Sequence, residues 1–127
     1  MISKAEKIII IDFLEQKLSP ELIYVFGSYS KNNERKDSDV DIAFLSENEV
    51  DEYQIFLFAQ KLADKFKKEV DLIDIKQAST VFKIQIIQGK LIYNANNYKK
   101  MEFELKTLRE YANLNEKRKE VLEGVWG

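Results

Sequence analysis

The sequence predicts an α/β fold, a small mixed sheet flanked by helices, and three observations carry that expectation. Helical periodicity alternates with short β-branched runs in the order helix, strand, strand, helix, strand, helix. The run Leu22-Ile23-Tyr24-Val25-Phe26 stops at Gly27, as a buried strand entering a tight turn does. A chain of 127 residues, 45% hydrophobic and 33% charged, has room for one core and not for two.

Each element has a local reason. Residues 3–18 read as a helix: Ser3 with Glu6 fits a capping box, and Ile10, Ile11, Leu14 and Leu18 make a core-facing stripe. Ser19-Pro20 ends it. The strand at 22–26 follows, then the Gly27-Ser28 turn, the start of a short helix at 28–31, and a polar loop over 32–37. Asp39 to Leu45 is the second strand. Residues 53–67 form a helix with Phe56, Ala59, Gln60, Ala63 and Phe66 along its inner side. Glu69 to Ile75 is the third strand. Residues 77–88 give a further helix with Phe82, Ile86 and Ile87 inward, ended by Gly89 as a left-handed cap. Leu91-Ile92-Tyr93 is a short edge strand. A long helix over 97–123, with a break expected near 113–115, carries the stripe Met101, Leu105, Leu108 and Ala112, expected to pack on the chain's own sheet. Residues 1–127 thus read as one domain, a core over 1–95 and a C-terminal helical segment over 97–123.

Composition removes whole classes of chemistry. No cysteine means no disulfide, thiolate nucleophile or cysteine-based zinc site, and no histidine removes serine–histidine triads and imidazole ligands. What remains is carboxylate, hydroxyl, lysine and arginine chemistry with a hard, oxygen-preferring cation. A net charge of −2 argues against a broad nucleic-acid surface. No apolar run is long enough to span a bilayer and the N-terminus lacks a signal-peptide pattern, so a cytoplasmic location is expected.

The most informative pattern is Gly27-Ser28, ten residues, then Asp39-Val40-Asp41. Gly27 permits close approach to a ligand, and Ser28 offers an N–H and a hydroxyl. Asp39 and Asp41 point to one face of their strand by alternation. Two unit charges about 4 Å apart repel by about 4 kcal/mol near a protein surface, so the pattern calls for a cation. Asp71 and Asp74 are candidates for a third carboxylate. They lie on opposite faces, and Asp71 is favoured because, like Asp39, it lies near the start of its strand. Three carboxylates suit magnesium, two ions of which can bind a triphosphate and polarise the α-phosphorus. Asp71 can also accept the proton of an incoming hydroxyl. Lys31, Arg35 and Lys36 are placed to steer the phosphates, although for Arg35 and Lys36 a solvated charged loop is the simpler reading.

The Gly27-Ser28-X10-Asp39-Val40-Asp41 pattern resembles the signature of the polymerase β-like nucleotidyltransferases. The chain is especially similar to their short MNT-type members, the minimal nucleotidyltransferases of prokaryotic toxin–antitoxin pairs. The resemblance extends to Val70-Asp71-Leu72-Ile73, to the stretch at 86–93 and to the C-terminal end, Leu122 to Gly127. It implies the polymerase β-like fold, catalysis and metal binding by Asp39, Asp41 and Asp71, and nucleotide binding by Gly27, Ser28 and Lys31. It further implies ATP as substrate, Mg2+ as cofactor, and an antitoxin of a type VII-like pair that transfers AMP to a tyrosine of a HEPN-family ribonuclease toxin and forms a hetero-oligomer with it. Where many members read X-Ala-Arg-Gly after Gly-Ser, this chain has Tyr29-Ser30-Lys31-Asn32, a point charge in place of a planar fork. Two other readings stay open: an antitoxin that acts by contact alone, docking through the apolar stripe of its long C-terminal helix or through the freer end at 121–127, and a transferase acting on a small molecule.

Overall fold

The computed structural model describes residues 2–27 and 39–124, with side chains through residue 115. Its elements run α1 (Lys4–Leu18), β1 (Leu22–Phe26), β2 (Val40–Leu45), α2 (Glu52–Phe66), β3 (Val70–Asp74), a 3-10 turn (Ile75–Gln77), α3 (Thr80–Ile87), β4 (Lys90–Asn94) and α4 (Asn97–Gly124). The sheet order is β3-β2-β1-β4. β1 runs antiparallel to both β2 and β4, and β2 runs parallel to β3, so the sheet is mixed. Parallel pairing needs a crossover, and α2 supplies it.

The caps are those the sequence encodes. Glu6 N–H donates to Ser3 Oγ at 3.1 Å and Ser3 N–H donates to Glu6 Oε1 at 3.1 Å, a closed capping box. Asp51 and Gln54 repeat the device at α2, where Gln54 N–H donates to Asp51 Oδ1 at 2.7 Å. α3 starts at Thr80, capped by Ser79, three residues later than the sequence places it, because a 3-10 turn occupies 75–77.

The two faces of the sheet bury separate clusters. Ile23, Val25, Ile42, Phe44, Val70 and Leu72 meet Ile10, Leu14 and Leu18 of α1 and Leu62 of α2. Leu22, Tyr24, Phe26 and Ala43 meet Ile75 and Ile86, with Phe82 and Phe103 packed against them. Ile11 is only partly buried. In α2 the inner face is Ile55, Phe58, Ala59, Leu62 and Phe66, while Phe56 and Gln60 are exposed. The expected stripe is therefore offset: Phe58 stacks edge-on against Phe13 of α1, 5.9 Å between ring centres, and this contact helps turn α2 toward α1.

α4 departs most from expectation. It runs unbroken through 113–115, and its expected core stripe faces out: Met101, Leu105 and Leu108 are 52%, 55% and 51% exposed, and Ala112 is exposed as well. Phe103 and the fully buried Thr107 face inward instead. The rotation is set by contacts with β1. Tyr24 Oη donates to Glu104 Oε2 at 2.7 Å, and the Tyr24 and Phe103 rings meet edge-on at 6.0 Å. Two positions along a helix are about 200° around it, so turning Phe103 inward sends Met101 and Leu105 outward.

Gly89 is also there for a different reason than expected. Its backbone is not left-handed; among the described glycines only Gly27 is. A Cβ at Gly89 would sit 2.5 Å from the Val25 carbonyl oxygen and 2.7 Å from Phe26 Cβ, so glycine lets the α3–β4 turn lie directly on β1. Gly89→Ala is expected to cost about 1–3 kcal/mol by overpacking. Urea denaturation measures this, and an unchanged midpoint contradicts the close approach.

Candidate active site

The parallel register of β2 and β3 sets Asp41 directly beside Asp71, and the antiparallel register of β1 and β2 sets Phe26 beside Asp41. Gly27, Asp41 and Asp71 therefore lie in a row across three adjacent strands, at the end where β1 finishes and β2 and β3 begin. By alternation Asp41 and Asp71 project on the α3 and α4 side of the sheet, with Ala43 and Ile73 beneath them. Asp39 lies one residue before β2, exposed, close enough for its charge to act on Asp41.

Electrostatics mark Asp41 as the strained member. Burial, then the charge of Asp71 and a hydrogen bond with it, then the charge of Asp39, push the Asp41 carboxyl up to about 6. Among the described residues no three acidic side chains converge closely enough to form a complete protein-only cation cage. Two converging carboxylates with a third at their margin, all oxygen donors, suit a magnesium ion that keeps open positions for phosphate oxygens and water.

Gly27 belongs to this cluster by shape. It has φ 75°, and a Cβ built there would overlap Oδ2 of Asp41. Only glycine serves both requirements, the left-handed turn and the space for the carboxylate. Asp74, the alternative third acid, is excluded by its position: it is buried on the other face, where its Oδ1 accepts from Lys76 N–H at 3.0 Å. Ser28, Lys31, Arg35 and Lys36 lie outside the described residues.

One feature at the sheet edge next to the site escaped the sequence. A groove of about 560 Å³ runs along the outer edge of β3, lined by Phe56, Gln60 and Lys68 together with Asp71. Ala59 and Ala63 also line it, so four of the five residues read as a core stripe in α2 form the wall of an open groove. The signal was Gln60, a polar residue in an otherwise apolar row.

Comparison with known proteins agrees with this geometry. The family described as polymerase beta, nucleotidyltransferase matches residues 8–98. The protein adenylyltransferase MntA of Shewanella oneidensis is 37% identical over 106 residues, 83% of this chain and 76% of that protein. A toxin–antitoxin complex solved with AMP-PNP contains a chain of 32% identity that superposes with a TM-score of 0.84, covering 95% of this chain and 98% of its own. A tri-AMPylated Shewanella oneidensis HEPN toxin in complex with its MNT antitoxin gives a TM-score of 0.80 at 30% identity, over 99% of this chain and 100% of that one. No helix among the described residues is long and apolar enough to cross a membrane.

The raised Asp41 carboxyl has a thermodynamic consequence of definite sign. A group that binds its proton more tightly in the folded state stabilises the fold below its unfolded value and loses that contribution as pH rises through about 6. In chelator, lowering the pH from about 7 to about 5 should raise the melting temperature of the wild type relative to Asp41→Asn. Magnesium at neutral pH should do the same. Parallel melting curves for the two proteins across that range would contradict the strained pair.

Proposed function

The chain belongs to the polymerase beta nucleotidyltransferase family, and from that membership we propose that it is a magnesium-dependent protein adenylyltransferase, an antitoxin that transfers AMP from ATP to a tyrosine of a HEPN ribonuclease toxin. The observation that carries this reading is the Asp41–Asp71 pair, fixed by strand register beside Gly27, in a chain 37% identical to a protein adenylyltransferase. Asp39, Asp41 and Asp71 would hold magnesium, which when bound offsets charge on the triphosphate and polarises the α-phosphorus.

The residues' own tasks follow from their positions. Gly27 keeps the strand end clear, so that phosphate can approach the backbone beside Asp41. Ser28 and Lys31, next along the chain, are assigned to the phosphates. Asp71, exposed on the edge strand, is open to an acceptor from outside. Its carboxylate takes the hydroxyl proton as the tyrosine oxygen bonds to the α-phosphorus. The bond from that phosphorus to the bridging oxygen breaks, and pyrophosphate leaves. Asp41, half-buried and destabilised as an anion beside Asp71, serves the cation rather than the proton. The likeness to MNT antitoxins seen with HEPN toxins supports the toxin as acceptor and complex partner, and the cytoplasm, where such a toxin would meet RNA, as the place of action.

Incubation with labelled ATP, magnesium and the toxin from the adjacent gene tests this directly. Asp41→Asn and Asp71→Asn should each lower label transfer by about a hundredfold or more, with toxin binding retained. Labelling that survives both substitutions would remove the assigned site. Neutralisation that survives with labelling gone would favour an antitoxin acting by contact alone.

A further inference from the structure

The exposed side of α4 is patterned for another helix. Tyr98, Met101, Leu105, Leu108, Ala112 and Asn115 alternate spacings of three and four residues, the heptad seam of a coiled coil, and every one of them is exposed. Tyr98 is the most open, at 72%. The inward face of the same helix, Phe103 and Thr107, is already satisfied by β1 and α3. Along the seam lies an open trough of about 680 Å³, flanked by Glu102, Lys106 and Arg109. A helix with one face packed on its own domain and a second apolar seam in water is unusual for a chain that acts alone.

The seam is complementary to itself. Laid antiparallel on a second copy with Leu105 against the partner's Leu108, it places Met101 opposite the partner's Ala112, long against short. Tyr98 then falls opposite the partner's Asn115, aromatic hydroxyl against amide. The flanking charges match in the same register. Glu102 comes beside the partner's Arg109, and the two-fold repeats the pair on the other side. Arg109 has no ion-pair partner among the described residues, and Glu102 has only Lys99, at 3.9 Å. We propose that this seam on α4 binds a second copy of the chain as an antiparallel two-helix interface, held by the Leu105–Leu108 layers and two Glu102–Arg109 ion pairs. From Tyr98 to Asn115 the seam runs about 25 Å, at about 1.5 Å per residue. An interface of that length lies at the small end for specific complexes, so the dimer forms at high concentration and dissociates on dilution. The inference does not depend on the proposed transfer activity.

Sedimentation of the purified full-length chain over a dilution series provides the test, with no toxin present. A dimer in exchange with monomer is expected. Leu105→Glu with Leu108→Glu should give monomer throughout, with unchanged circular dichroism. Glu102→Arg should weaken the dimer about tenfold or more through two like-charged pairs, and adding Arg109→Glu to it should restore the wild-type association. The charge variants leave the inward face of α4 untouched, so they remain informative if the leucine variant unfolds. A wild type that stays monomeric at every concentration would overturn the proposal. So would a dimer indifferent to Glu102→Arg, or a seam whose loss abolishes toxin binding while self-association is unchanged.

Discussion

The parallel pairing of β2 with β3 is the constraint on which the rest depends, because it holds the Asp41 and Asp71 carboxylates side by side. Two such charges near a protein surface oppose each other by about 4 kcal/mol at about 4 Å, and the fold tolerates this only because the apolar clusters on both faces of the sheet hold the strands in register. The strain appears in Asp41, whose carboxyl is pushed up to about 6. A site that disfavours its own second negative charge is pre-organised for a divalent cation. On the proposed function it would gain most from a cation that arrives together with the phosphates completing its coordination.

Much of this was legible in the sequence, and the reasons are physical. Alternation along a strand shows that Asp71 and Asp74 cannot share a face, and the place of Asp71 near the start of its strand favoured it without coordinates. Gly27 was visible as a turn. That its missing Cβ makes room for Asp41 needed the fold, because the contact joins two strands through tertiary packing. Gly89 shows the same limit: a glycine after a helix reads as a cap, yet here it allows a close approach to β1.

The helices mark where one-dimensional reading runs out. α4 carries two apolar stripes, one through Phe103 and Thr107 and one through Met101, Leu105 and Leu108, and periodicity alone ranks the more apolar stripe as core. The Tyr24–Glu104 hydrogen bond, between residues eighty apart, decides otherwise. In α2 a single contact, Phe13 with Phe58, accompanies the rotation that turns Phe56 and Gln60 from core to groove wall. The phosphate-loop residues Ser28 and Lys31 remain assignments from the sequence and its resemblance to the family.

These elements divide the labour of the molecule. The sheet edge at β3 leaves Asp71 exposed, while α4 presents an apolar seam along its length. The proposed chemistry and the proposed assembly thereby fall on different elements of the chain. The central claim is that Asp41 and Asp71 together hold a divalent cation with the nucleotide. Water-proton relaxation of Mn2+ in the presence of a non-hydrolysable ATP analogue measures this most directly. The account predicts tight, nucleotide-dependent Mn2+ binding by the wild type that is lost in Asp71→Asn; equal binding by both proteins would contradict it.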